Sequence, residues 1–421
     1  MTSRERVRIA LNHHQPDRVP VDFGGTFETG IAVGTVYSLR KAYGLDSYDE
    51  RVKVIEPYQM LGEIKDDLRE KMGVDTVPLY NTSNAFGFEN KDWKEWSTFD
   101  GSQVLVPGLF NTEPEDNGDI YMYPQGDRSV TPSAVMPAGG HYFDSIIRQH
   151  PIDDNNLNVE DNLEEFGLYS DKLLDYLSKQ SEYLFNNSNR AIVYSFTGTS
   201  FGDVANTTAP ELKDPKGIRD ISEWYMSFVT RRNYVYEVFA EECAIGMTNL
   251  ARVKEAVGDR IDVIKITGAD YGSQRGPLIS PDWYREMIKP FNKAMCDWIH
   301  HNTSWKIFMH CCGGIRPLLD DIIDAGFDII SPVQTSAVGM DPQGLKDDYG
   351  DRITFWGGGV ETQTTLPFGT PEEVYNEVID RIGVFNKSGG FVFNAVHNIQ
   401  PMTPVENIKA MIEAVRDSYL Q

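Results

Sequence analysis

Trp305-Lys-Ile-Phe-Met-His310-Cys311-Cys312-Gly-Gly314 is a short β-like run that ends in a histidine and two cysteines, after which a glycine pair opens a helix. Downstream, Thr354 to Val360 and Phe391 to His397 read the same way, as strands ending in polar residues. Upstream, four more β-rich runs share the pattern: Arg18 to Phe23, Val74 to Tyr80, Ala191 to Phe196 and Ile261 to Thr267. Asp328 to Val333 completes a set of eight. Most are followed by a helical pattern, and strand–helix alternation favours a parallel β/α architecture in which eight strands close a barrel. The sequence therefore predicts an α/β fold, a (β/α)8 barrel of the TIM type. An open doubly wound sheet is the rival, but Gly24-Gly25-Thr-Phe-Glu-Thr-Gly30 lacks the Gly-x-Gly-x-x-Gly spacing expected after its first strand.

The whole chain, residues 1–421, is read as one barrel domain. Residues 81–161 stand out as an insertion of hairpins and loops after the second strand, because Gly, Pro, Asn and Asp punctuate short aromatic runs there. Helices are expected after a Ser3 cap through Ala10 and Leu11, from about Tyr58 to Met72, and over one long segment from about Glu223 to Val257. Thr370 with Glu373 and Thr403 with Glu406 each fit a capping box.

The formal charge of −24, from 63 acidic and 39 basic residues, disfavours nucleic acid and anionic membranes as partners. No apolar run reaches the ~20 residues a membrane-spanning helix needs. The first residues lack the apolar core of a signal peptide, so a cytoplasmic location is expected. Four cysteines in so long a chain do not suggest a disulfide framework.

In such a barrel, residues at the carboxyl ends of the strands converge on one mouth. Asp270 follows strand four, His310 and Cys312 end strand five, Gln334 ends strand six, Glu361 follows strand seven and His397 ends strand eight. Strand side chains alternate, so His310 and Cys312 share a direction that Cys311 opposes. With His397 they supply three nitrogen and sulfur ligands, a set suited to Zn²⁺ with one open coordination position. The plain alternative is a buried cysteine beside a hydrogen-bonded histidine. Asp270 and Glu361 are candidate general acid/base groups, with loop capping as the alternative. Tyr271, Gln274 and Gln334 are expected to contact substrate. Gly198-Thr-Ser200-Phe-Gly202 matches a serine-hydrolase elbow, yet Asp203, Asn206, Thr207, Thr208 and Pro210 follow where a helix should start.

Asn12 to Asp22, His310-Cys-Cys312-Gly and Pro401-Met-Thr-Pro-Val-Glu-Asn-Ile408 together resemble the uroporphyrinogen decarboxylase superfamily. That resemblance implies an (α/β)8 barrel and either of two chemistries: cofactor-free decarboxylation of a porphyrinogen, or zinc-dependent methyl transfer to or from a corrinoid protein. Phe23 to Val33 contains no arginine, whereas the decarboxylases carry an arginine-rich signature for substrate carboxylates. The methyltransferase branch is similar in its His-x-Cys element, falling on His310 and Cys312. It typically has a cysteine where this chain has His397. The resemblance thus implies Zn²⁺, a small methylated substrate, with O-demethylation of a methoxy compound favoured, and a separate small corrinoid-binding protein, since Asp-x-His-x-x-Gly is absent from the chain.

Overall fold

Seven parallel strands form one curled sheet in the order β7-β6-β5-β4-β3-β2-β1. They are β1 (Thr76–Leu79), β2 (Ala191–Ser195), β3 (Val263–Thr267), β4 (Lys306–His310), β5 (Ile329–Ser331), β6 (Thr354–Trp356) and β7 (Phe391–Val392). This is a computed structural model that describes residues 1–45, 50–203 and 207–420. The remaining expected strand, near Val21, joins the two sheet edges. Val21 pairs in parallel with Phe393, through Asp22 N–H to the Phe393 carbonyl at 2.9 Å and Phe393 N–H to the Pro20 carbonyl at 2.8 Å. On its other side, Asp75 N–H donates to the Val21 carbonyl at 2.7 Å. The expected TIM-type barrel is thereby formed.

Buried charges hold this closure. Asp75 accepts from Arg6, from both terminal nitrogens of Arg18 and from Val21 N–H, at 2.7 to 3.0 Å. Asp22 lies wholly inside; burial pushes its pKa up, and it accepts from Thr76, from Gly25 N–H and from the Trp356 indole at 2.9 Å. An unpartnered carboxylate in such a place would be costly, so these donors are what permit it.

The barrel interior is filled by Ala191, Val193, Val263, Phe308, Ile329, Trp356 and Val392, with Val7 and Leu11 of helix α1 (Ser3–Leu11) packed among them. Burial contributes about 1.5–3 kcal/mol for each large apolar side chain. Residues two positions further along these strands also point inward, which places Ser195, Lys265, His310 and Ser331 in the layer next to the mouth. The register agrees, pairing Ser195 with Lys265 and His310 with Ser331.

Two expectations change and one helix is new. The helix expected from Tyr58 spans only Asp66–Met72, because Leu61–Gly62 pairs with Val52–Glu56. A helix over Val33–Ala42 forms where none was expected; its β-branched residues and Gly34 give it little propensity, and burial of Val33, Val36 and Leu39 supplies the stability instead. The long helical segment is two helices, Ile221–Thr230 and Arg232–Val257, divided at the non-helical Arg231, with the Asp220 side chain capping the first.

Between β1 and β2, Lys94–Ser97 pairs antiparallel with Gln103–Val106, and Ala134–Met136 pairs antiparallel with both Ile120–Met122 and Asp144–Ser145. Gln103–Val106 also lies parallel to Val52–Glu56, so this sheet straddles residue 81 and draws strands from before it.

Candidate metal centre

β4 delivers Phe308 into the apolar interior and His310 one layer higher. The chain then leaves the sheet, and Cys312 follows on the same side. Two acceptors hold that turn: the Asp270 carboxylate takes Cys312 N–H at 2.8 Å, and the Gln334 side-chain oxygen takes Gly313 N–H at 2.9 Å. Gly313 has φ of +88°, and a Cβ there would lie 2.4 Å from the Gly272 carbonyl carbon. Only glycine lets the Gly272–Pro277 hairpin approach so closely.

His397, just past β7, faces His310 with ring centroids 5.4 Å apart and planes inclined at 72°. One ligating atom from each of His310, Cys312 and His397 lies within 4.8 Å of the other two. His310 Nε2 is 3.3 Å from Cys312 Sγ and 3.6 Å from Asp270 Oδ1. Tetrahedral zinc with nitrogen and sulfur ligands needs ligand atoms about 3.3–3.8 Å apart; the His310–Cys312 separation falls in that range, and His397 lies within 4.8 Å of both. Cys311 points away, as its position in the strand requires; it is fully buried, and its sulfur accepts Tyr271 N–H at 3.3 Å.

Electrostatics suit a cation. Burial lowers the His310 pKa to about 4, so its imidazole is neutral, with a lone pair to offer. Burial, and then the Asp270 charge, push the Cys312 thiol well above its usual range. A bound cation reverses that preference, because it stabilises thiolate directly. His397 Nδ1 lies 2.8 Å from the Asn398 oxygen, and the Asn398 amide donates to Gln59 at 2.6 Å. With Nδ1 engaged by Asn398, Nε2 is the nitrogen His397 has left to offer a cation.

The other expected site residues are distributed around this centre. Asp270 reaches both His310 and the Cys312 backbone. Glu361 is buried; one carboxylate oxygen accepts Gln363 N–H at 3.1 Å and the other has no partner among the described residues. The Tyr271 hydroxyl donates to the Phe201 carbonyl at 2.6 Å deep in the core. Exposed Gln274 donates to Gln363 at 2.9 Å, linking the loop after β3 to the loop after β6. Gln334, through Gly313, supports the Cys312 turn. The Ser200 hydroxyl accepts Gly268 N–H at 3.0 Å, and part of the turn beyond it, including Asn206, lies outside the described residues.

Sequence reasoning missed Glu28, Lys265, Ser195 and Asn398. Lys265 had a signal: a lone cation inside the apolar run of β3. It forms an ion pair with Glu28 from the loop after Val21. Burial alone would push the Glu28 carboxyl up, but Lys265, with His310, outweighs it and holds the group far below its usual range.

These features define an α/β barrel with a soft-ligand cluster at its mouth. Residues 248–418, which contain all three cluster residues, match the family model described as Uroporphyrinogen decarboxylase (URO-D). The chain is similar to the uroporphyrinogen decarboxylase of Coxiella burnetii (strain Dugway 5J108-111), 26% identical over 146 residues, which is 34% of this chain and 38% of that protein. It is also similar to the methylcobamide:CoM methyltransferase MtaA of Methanosarcina barkeri (strain Fusaro / DSM 804), 31% identical over 153 residues, 36% of this chain and 42% of that one. The matched stretches thus span well under half of those relatives. A solved methyltransferase from Methanosarcina mazei shares the fold over 100% of this chain and 99% of its own, with a TM-score of 0.55 and 17% identity. No helix among the described residues is long and apolar enough to cross a membrane.

Proposed function

We propose that the chain is a zinc-dependent methyltransferase that moves a methyl group between a small methylated substrate and a corrinoid protein. The supporting observation is the convergence of His310, Cys312 and His397 within 4.8 Å at the barrel mouth. These three residues would hold Zn²⁺, which when bound supplies Lewis acidity toward a substrate heteroatom. The protein's own part is preparation. Neutral His310 offers its lone pair, Asn398 fixes the ring of His397, and Asp270 and Gln334 hold the turn that carries Cys312. Asp270, 3.6 Å from His310 Nε2, is the first candidate acid/base group, and Glu361 is the second. A methoxy compound that loses its methyl group is the favoured substrate.

A separate corrinoid protein is the proposed partner, docking over the mouth. Leu278, Val338, Phe368 and Met402 support this, as large apolar side chains exposed in the segments that follow β3, β5, β6 and β7. A decarboxylase is the second reading, favoured by the Coxiella relative. Glu28, standing where a polycarboxylate would need cations, weighs against it.

The deciding experiment is metal analysis of protein purified without added zinc, with methyl transfer from methoxyaromatics to Co(I) cobalamin measured for wild type and His310→Ala. Bound zinc, and activity lost in the variant, are expected. No bound metal with activity unaffected by the substitution would overturn the assignment, and decarboxylation that survives chelation would favour the second reading.

A further inference from the structure

Around the metal centre, the barrel carries polar atoms that no group among the described residues satisfies. Ser195 Oγ, Glu28 Oε2 and His310 Nδ1 are each buried without a hydrogen-bond partner among the described residues. Ser195 is 8% exposed and His310 4%. Buried polar atoms left alone each cost about 1–3 kcal/mol, so the open Glu28 oxygen and the Ser195 hydroxyl call for a ligand that completes them.

Their placement is specific. Ser195 and Lys265 are register partners on β2 and β3 and face inward together. Glu28 reaches in from the loop after Val21 and pairs with Lys265, in the layer that also carries His310. Glu28 Oε1 is taken by Lys265, which leaves Oε2 as an open acceptor and leaves the ammonium further donors. There is room beside the pair at Gly268: a Cβ there would meet only Lys265 Nζ, at 3.9 Å, and Glu28 Oε1, at 4.0 Å.

We infer that Glu28, Lys265 and Ser195 form a subsite for an uncharged hydroxyl group of the substrate. A hydroxyl donates to Glu28 Oε2 and accepts from Lys265 or Ser195, so one group meets both needs. A carboxylate would meet the Glu28 charge, and an ammonium would meet Lys265. The inference rests on the methyl-transfer reading for the other end of the substrate: the favoured donor is a methoxy compound that also bears a free hydroxyl.

The test is calorimetric binding to the full chain, with and without zinc, which needs no turnover. The probes are 2-, 3- and 4-methoxyphenol, with methoxybenzene and methoxybenzoate as controls. At least one methoxyphenol is expected to bind about 10-fold more tightly than methoxybenzene, and Ser195→Ala to weaken it about 5-fold, the scale of one hydrogen bond. Lys265→Met leaves Glu28 without its cation, so the paired variant Lys265→Met/Glu28→Gln, checked by thermal unfolding, should abolish the preference for the hydroxyl. Equal binding of methoxybenzene, tighter binding of methoxybenzoate, or a preference untouched by both variants would overturn the subsite. Hydroxyl-selective binding without methyl transfer supports the subsite and counts only against the proposed reaction.

Discussion

Replacing Asn398 by alanine isolates what holds the third ligand. Asn398 is 2% exposed; its oxygen faces His397 Nδ1 at 2.8 Å and its amide donates to Gln59 at 2.6 Å. Loss of one such hydrogen bond is worth about 1 kcal/mol, or roughly 5-fold in affinity. The ring also becomes free to turn its Nε2 edge from the cluster, and loss of groups that orient a ligating histidine typically weakens metal binding about 10- to 100-fold. The Asn398→Ala chain should therefore bind zinc about 10- to 100-fold more weakly, as measured at neutral pH by competition with a chromophoric chelator. Asn398→Asp keeps an acceptor opposite Nδ1 and should stay within a few-fold of wild type, separating ring orientation from general damage. Zinc affinity in a folded Asn398→Ala chain within about twofold of wild type would refute the assignment of His397 as a ligand oriented by this amide.

Other outcomes follow from the buried charges and from the metal. Asp75→Asn removes the charge that neutralises Arg6 and Arg18; it should cost about 3 kcal/mol, a fall of ~3 °C in Tm for a chain of this size, and a loss under 1 kcal/mol in urea titration would contradict it. Glu56 is 5% exposed, and burial raises its pKa from 4.5 to about 7. Its neutral form is therefore favoured in the folded state: the stabilisation is complete below about pH 4.5 and lost as pH rises through about 7, with up to about 3 kcal/mol at stake. Glu56→Gln should flatten that decline in urea unfolding between about pH 5 and 8, and an unchanged slope would show that another group causes it. Zinc should raise the melting temperature in proportion to the logarithm of its concentration, adding about 2.7 kcal/mol at a hundredfold excess over Kd, and chelation should reverse it; a Tm indifferent to zinc would argue against a specific site.

The barrel was legible because its signal is local. Each strand is a short apolar run whose last polar residue marks the mouth, and His310 and Cys312 share a face by the alternation of any strand. The Val33–Ala42 helix was hidden because tertiary burial, not propensity, makes it form. Glu28 was hidden for a different reason: its partner Lys265 lies 237 positions away, and nothing in either neighbourhood announces the pairing. Asn398 sits beside His397 in sequence, yet its role depends on Gln59, brought there only by the closed fold.

The bridge at Val21 has a temporal consequence. Its partner Phe393 lies 372 positions later, so a ribosome must release all the residues between them before Val21 can find its neighbour. Until then Asp22 waits for Trp356, and Val7 and Leu11 wait for a cylinder to plug. Shortened products ending before residue 391 should therefore leave this segment without its partner and be recognised by chaperones or proteases, whereas changes in the exposed loops at the mouth should pass unnoticed by the folding machinery.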